Sequence, residues 1–286
     1  MEFPKITLIG VGLLGGSVGL AAKRRGVAAQ VVGFVRRPES VEESLEVGAV
    51  DKATQDLAEA VSGASLVVLC TPVGGMGDMA AQIKPHLAPE AVVTDVGSVK
   101  ARVVQDVEPI LPRFVGSHPL CGSEKTGVTH ASADLFVGAA CAVTPTEQSD
   151  AEAVAKVNEF WGALGGTLIN LTAEAHDNIV ARTSHLPHVV ASALVNAILG
   201  KSHAGESDFI GTGFADTTRL ASGSPAMWRD IALTNAEAIQ KAINDLQNEL
   251  GELKNALAAK DAAALEIFFK EGKTSRDLWL EGGEKK

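Results

Sequence analysis

The sequence predicts an α/β protein in which a Rossmann-type doubly wound parallel sheet is followed by an all-α domain. Three observations predict it. A short β-branched run ends in closely spaced glycines and leads into helix-compatible sequence; further strand-like runs alternate with helical stretches through the first half; and strand signals vanish beyond about residue 170. Strands separated by helices must be joined by crossovers, and crossovers build parallel sheets.

The first element is KITLIGVGLLGGSVGLAAKRRG, starting at Lys5. After the β-branched run, Gly10, Gly12 and Gly15 stand in G-x-G-x-x-G spacing, with Leu13 and Leu14 inside the turn. This is strand, tight turn and helix, the arrangement that lets backbone approach a pyrophosphate at a helix N-terminus. The second strand, QVVGFV from Gln30, ends in GFVRRPES. A site for NAD wants an acid there to hold the ribose 2′-hydroxyl, whereas NADP wants a cation for the 2′-phosphate. Val35 occupies the acid's place, and Arg36, Arg37 and Ser40 follow it. Two guanidiniums and a hydroxyl suit a phosphate, so NADP is the expected cofactor and NAD the alternative.

Further strands are expected at Ser65–Pro72 and Ala91–Ser98. Their C-terminal ends face the ligand crevice of such a sheet, which makes Thr71, Pro72 and Ser98 candidates to line a nicotinamide pocket. Residues 116–127, GSHPLCGSEKTG, read as a loop, because Pro119 and the glycines oppose a continuous element. GGTLINL, from Gly165, reads as a last strand and Thr172 as the N-cap of the helix after it. Helical sequence then runs from Ala173 to Leu199, interrupted at Pro187, from Pro225 to Ala259, and onward from Asp261. Two domains are expected, 1–170 for the dinucleotide and 171–286 for substrate binding and dimerisation. Helices such as HVVASALVNAIL carry apolar residues on more than one face, as a helical homodimer would need.

Composition narrows the function. The 286 residues carry a net charge of -10, which disfavours nucleic acid and anionic membrane as partners and requires focused cations for any anionic ligand. Cys70, Cys121 and Cys141 show no C-x-x-C spacing, which favours free thiols in a cytoplasmic protein and argues against a zinc site; no metal is expected. The apolar run near the N-terminus is broken by glycines and has its positive charges behind it, unlike a secretory signal.

The glycine turn, CTPV, TDVGSVK, GSHPLCGSEKTG, AEAHDNIVARTSHLPH and GTGFADTTRLASGSPAMWRDI occur in order from about residue 5 to residue 235, and together they resemble the prephenate/arogenate dehydrogenases of tyrosine biosynthesis. The resemblance implies oxidative decarboxylation of prephenate to 4-hydroxyphenylpyruvate, or of arogenate to tyrosine, with NAD or NADP as oxidant. It makes His118 the residue that takes the C4 hydroxyl proton as hydride leaves, and Ser98 the partner that orients it. By the same resemblance Arg219 clamps a substrate carboxylate, His188 contacts substrate, and Glu124 and Lys125 belong to the substrate loop. Thr212 departs from the family's G-G-G-F and stands near the substrate side chain. Prephenate is the expected substrate, with arogenate or both as the alternative. A β-hydroxyacid dehydrogenase or imine reductase, and a non-catalytic NADP-binding redox sensor, are the remaining rivals; a sensor has no need of His118, Ser98 and Arg219 together.

Overall fold

In the computed structural model, which describes residues 3–122, 125–200 and 206–283, the chain builds a single eight-stranded sheet and, in the described residues, twelve α-helices. The strands are β1 Ile6–Ile9, β2 Val31–Phe34, β3 Lys52–Thr54, β4 Leu66–Leu69, β5 Val92–Asp95, β6 Phe114–Pro119, β7 Ala140–Thr144 and β8 Thr167–Asn170. Between them run α1 Leu13–Arg24, α2 Glu39–Glu46, α3 Leu57–Val61, α4 Met76–Ile83, α5 Ala101–Val107 and α6 Ala151–Ala163. After β8 come α7 Ala173–Val180, α8 Leu186–Ile198, α9 Thr212–Thr218, α10 Pro225–Thr234, α11 Ala236–Ala259 and α12 Ala262–Gly283.

The strand order is β3-β2-β1-β4-β5-β6-β7-β8, parallel except where β6 meets β7. β1 pairs with both β2 and β4, so the order reverses beside it and a crevice opens past its C-terminal end. Period-two alternation sends successive side chains to opposite faces. Leu8, Leu66, Val68 and Val92 join the core that holds Val18 of α1 and Phe160 and Trp161 of α6. Ile9, Val67, Leu69 and Val93 join the core under Met76, Ile83 and Val103 on the other face. The buried strands read as near-continuous apolar runs because both faces are covered.

Three local features differ from the sequence reading. Residues 114–119 are a strand rather than the start of a loop: β6 pairs with β7 from Gly116 opposite Thr144 to Pro119 opposite Cys141. Its pairing with β5 stops at Val115, so by Pro119 only one neighbour remains and the missing N–H leaves no ladder bond unmade. β3 and β7 are additional strands, the first only three residues long. Pro187 does not break a helix; it sits in the first turn of α8, after a π-helical turn over Ala181–His185. Thr172 caps α7 as its sequence suggests, accepting the Ala175 N–H at 3.1 Å.

By compactness the chain divides after Ala238. The first unit holds the sheet and the helices up to α10. The second unit is built from α11 and α12, which turn at Lys260 with φ 53°; Asp261 caps α12 by accepting the N–H groups of Ala263 and Ala264. These helices expose Leu257, Ile267, Phe269, Leu278 and Trp279. No described helix is long and apolar enough to cross a membrane.

Candidate active site

The glycine turn has the geometry a dinucleotide needs. Gly10 adopts φ +99°, where a Cβ would also stand 3.0 Å from the Cys70 carbonyl oxygen. At Gly15 a Cβ would come within 2.1 Å of the Gly10 carbonyl, so only glycine lets α1 start this close to β1. A Cβ at Gly12 would meet nothing within 4 Å, and α1 begins there with no side-chain cap. Leu13 and Leu14 form the first turn of that helix, whose N–H groups are left to an anion. Arg36, Arg37 and Ser40 lie just past β2, with the Arg37 guanidinium donating to the Ser40 hydroxyl at 3.3 Å. Thr71 and Pro72 follow β4 on the same edge, and the Thr71 hydroxyl oxygen is buried with no protein partner. An open turn, an uncapped helix start, a pair of guanidiniums and an orphaned hydroxyl together fit a nicotinamide dinucleotide.

The same edge carries the polar centre. Asp95, at the end of β5, is fully buried; it accepts the Gly97 N–H at 2.8 Å and the Ser117 N–H at 2.9 Å. Its charge partner is Lys100, also fully buried, whose ammonium bonds the Asp95 carboxylate and the Ser117 carbonyl. This network ties the Gly97–Ser98 bend to β6 immediately before His118. Ser98 and His118 therefore arise from adjacent strands whose ends are locked together.

His118 Nδ1 lies 2.9 Å from His176 Nε2, and His176 Nδ1 lies 2.8 Å from Asp177 Oδ1. Asp177 also accepts the Lys100 N–H at 2.7 Å and the Ala101 N–H at 2.8 Å, fastening α7 to the start of α5. Its carbonyl takes the Asn235 amide, which reaches on to His185 Nδ1 at 3.3 Å. Burial, then the neighbouring His176, Lys100 and His185, hold the His118 imidazole well below its ordinary pKa, so it is neutral near pH 7. Burial likewise brings His185 down to about 4.

His188 is buried and stacks on Trp228 with ring centroids 3.5 Å apart. Gly223 lies against both rings, where a Cβ would be 2.7 Å from Trp228 Nε1. Arg219 opens a 3-10 turn packed on α8, the helix that bears His188. Thr212 is exposed at the first position of α9, and Lys125 is exposed; Glu124 lies outside the described residues. Sequence reasoning missed His176, Asp177, Asp95 and Lys100 as site members. Asp177 and His176 are adjacent in AEAHDN, and nothing in that spacing tells which strand end the helix will meet.

Two family models cover nearly the whole chain: the prephenate dehydrogenase nucleotide-binding domain matches residues 18–170 and the prephenate dehydrogenase dimerization domain residues 172–271. The chain belongs to the prephenate dehydrogenase family. It is 36% identical to the cyclohexadienyl dehydrogenase of Zymomonas mobilis over 282 residues, covering 96% of this chain and 95% of the relative. Among solved structures it resembles the prephenate dehydrogenase of Aquifex aeolicus in complex with hydroxyphenyl propionate and NAD+, with a TM-score of 0.92, 34% identity and coverage of 96% and 98%. It also resembles the arogenate dehydrogenase of Synechocystis, with a TM-score of 0.81, 31% identity and coverage of 96% and 99%.

Proposed function

We propose that the protein oxidatively decarboxylates prephenate to 4-hydroxyphenylpyruvate with NADP as the preferred oxidant, and that His118 is the base. The observation that carries this reading is a neutral imidazole on β6, next to the strand whose end leads to Ser98, with Nδ1 engaged by His176 and Nε2 left to meet a substrate hydroxyl. When bound, the nicotinamide supplies the acceptor for the hydride that leaves C4. His118 takes the C4 hydroxyl proton as the carbonyl forms, a contribution of about 10²- to 10⁴-fold. Loss of carbon dioxide from C1 then aromatises the ring and makes the reaction irreversible. Ser98 shares the hydroxyl, Arg219 and His188 hold the anionic side of the substrate, Glu124, Lys125 and Thr212 border it, and Arg36, Arg37 and Ser40 hold the 2′-phosphate.

The functional division near residue 170 assigns cofactor binding to the first domain, and completion of the substrate site and dimerisation to the second. The exposed apolar residues of α11 and α12 support a homodimer formed through these helices. A redox sensor would not require a part-buried histidine backed by a buried His176–Asp177 pair, and the dehydrogenase reading accounts for it.

Formation of reduced nicotinamide, measured for prephenate and arogenate with NADP and NAD, tests the proposal. Turnover of prephenate with NADP is expected to be fastest; faster turnover of arogenate would make the protein an arogenate enzyme. Replacing Arg36 and Arg37 together by Ala is expected to erode the preference for NADP over NAD by about 10- to 100-fold, since charge-assisted bonds to the phosphate are lost. An unchanged ratio would remove both arginines from the phosphate site.

A further inference from the structure

We propose that His176 and Asp177 are positioning residues for the base: they hold His118 in the tautomer that carries its proton on Nδ1 and leaves the Nε2 lone pair for substrate. The inference rests on the dehydrogenase reading and extends it to residues with no assigned role.

The placement of donors decides the tautomer. Asp177 Oδ2 accepts the Ala101 N–H and Oδ1 accepts the Lys100 N–H, so both oxygens act as acceptors. His176 Nδ1, 2.8 Å from Oδ1, must therefore be the donor of that pair. A neutral imidazole with its proton on Nδ1 has a bare Nε2, and His176 Nε2 then accepts. His118 Nδ1, 2.9 Å away, is consequently the donor, and its own Nε2 is the basic nitrogen. A free histidine side chain favours the opposite tautomer, in which Nε2 would carry hydrogen and could not take a proton. The Asp177 and His176 side chains are buried, so water does not compete for the bond between them.

The arrangement also serves the charged state. When the C4 hydroxyl gives its proton to His118 Nε2, the resulting imidazolium keeps its Nδ1–H bond to His176, and His176 is polarised by the Asp177 carboxylate. No proton has to cross to His176; the proton on His118 returns to solvent after product leaves. The buried carboxylate steadies the cation through one intervening ring, as an acid steadies the histidine of a hydrolase triad.

The test compares His176→Leu with His176→Gln. The Gln carbonyl reaches the place of the ring Nε2 and can accept from His118 Nδ1, whereas Leu cannot. His176→Leu is expected to lower kcat by about 10²- to 10⁴-fold with the Michaelis constant for prephenate nearly unchanged, and His176→Gln to recover all but about 10-fold of it. A purely structural role would damage both variants alike, and equal losses would overturn the proposal, as would wild-type kcat in the Leu variant. Long-range proton–nitrogen correlation spectra of protein labelled at histidine nitrogen read the tautomer independently of turnover. His118 protonated at Nδ1 in the wild type and shifted toward Nε2 in His176→Leu is the expected result. A wild-type His118 protonated at Nε2 would sink the inference even with an active enzyme, while an Nδ1 proton in a protein inactive on both substrates would uphold it and sink the dehydrogenase reading instead.

Discussion

Two buried carboxylates bond the same lysine, and their remaining partners differ in kind. Asp95 is closed: two backbone N–H groups and the Lys100 ammonium meet it, and Lys100 in turn reaches the Ser117 carbonyl. Asp177 takes two backbone N–H groups as well, yet its third partner is His176, which leads to His118 at the crevice edge. A buried charge whose partners are all structural fixes a fold. One whose partners end in a titratable ring can, on the proposed reading, steady the charge on that ring. Lys100 belongs to both networks, its side chain to Asp95 and its backbone N–H to Asp177, so the closed network sets the position of the open one.

The largest expected difference lies at the open end. His118→Asn should cut kcat by about 10²- to 10⁴-fold while the melting temperature barely moves, because the ring is partly exposed and no buried ion loses its counter-charge. Near-normal turnover would show that Asp177 leads to nothing chemical. Lys100→Met should do the reverse and act chiefly on stability, at about 3–5 kcal/mol in denaturant titration, since the Asp95 carboxylate is left buried without its cation. A loss below about 1 kcal/mol would mean that the backbone donors alone satisfy Asp95.

The pH dependence of stability probes the far arm of the Asp177 network. His185, linked to it through Asn235, is held at about 4 against an ordinary 6.5. The unfolded chain therefore binds more protons between those values, and stability present above pH 6.5 is lost as pH falls toward 4. The loss is about 3 kcal/mol for this group. His185→Gln removes the titrating ring, so the fall in unfolding free energy between about pH 7 and pH 4 should shrink by roughly that amount. An identical acid slope would place the burden on another group.

The closed and open networks also differ in how far sequence discloses them. The glycine turn was readable because its chemistry is local: Gly10, Gly12 and Gly15 act through backbone within one strand-to-helix turn. The parallel sheet followed from alternation, and Thr172 from capping. His118 and Ser98 were singled out through motif resemblance alone, and the strand character of residues 114–119 was hidden by Pro119, which is tolerated because pairing with β5 has already stopped. The Asp177–His176–His118 chain spans 58 residues between its histidines and depends on α7 meeting the start of α5, a contact with no periodic signature. Asp95 and Lys100 are close in sequence, yet in TDVGSVK nothing announces that both charges will be wholly buried.

The smallest effect tests whether the closed network is closed in energy as well as in geometry. Thr94, on β5 beside Asp95, bonds the Val115 carbonyl and the Ser117 hydroxyl, each at 2.7 Å; Ser117 also accepts the Trp161 indole N–H at 2.8 Å. Thr94→Val keeps the branched shape and the strand preference while deleting the hydroxyl. Two bonds are lost, but the Ser117 oxygen keeps its indole donor and the Val115 carbonyl is the only group left short. The expected cost is about 1 kcal/mol of unfolding free energy, with kcat unchanged, because Thr94 touches neither His118 nor His176. A fall in kcat without a matching loss of stability would show that the Ser117 end of β6 transmits strain to His118. The division between a structural carboxylate and a chemical one would then have to be redrawn along that strand.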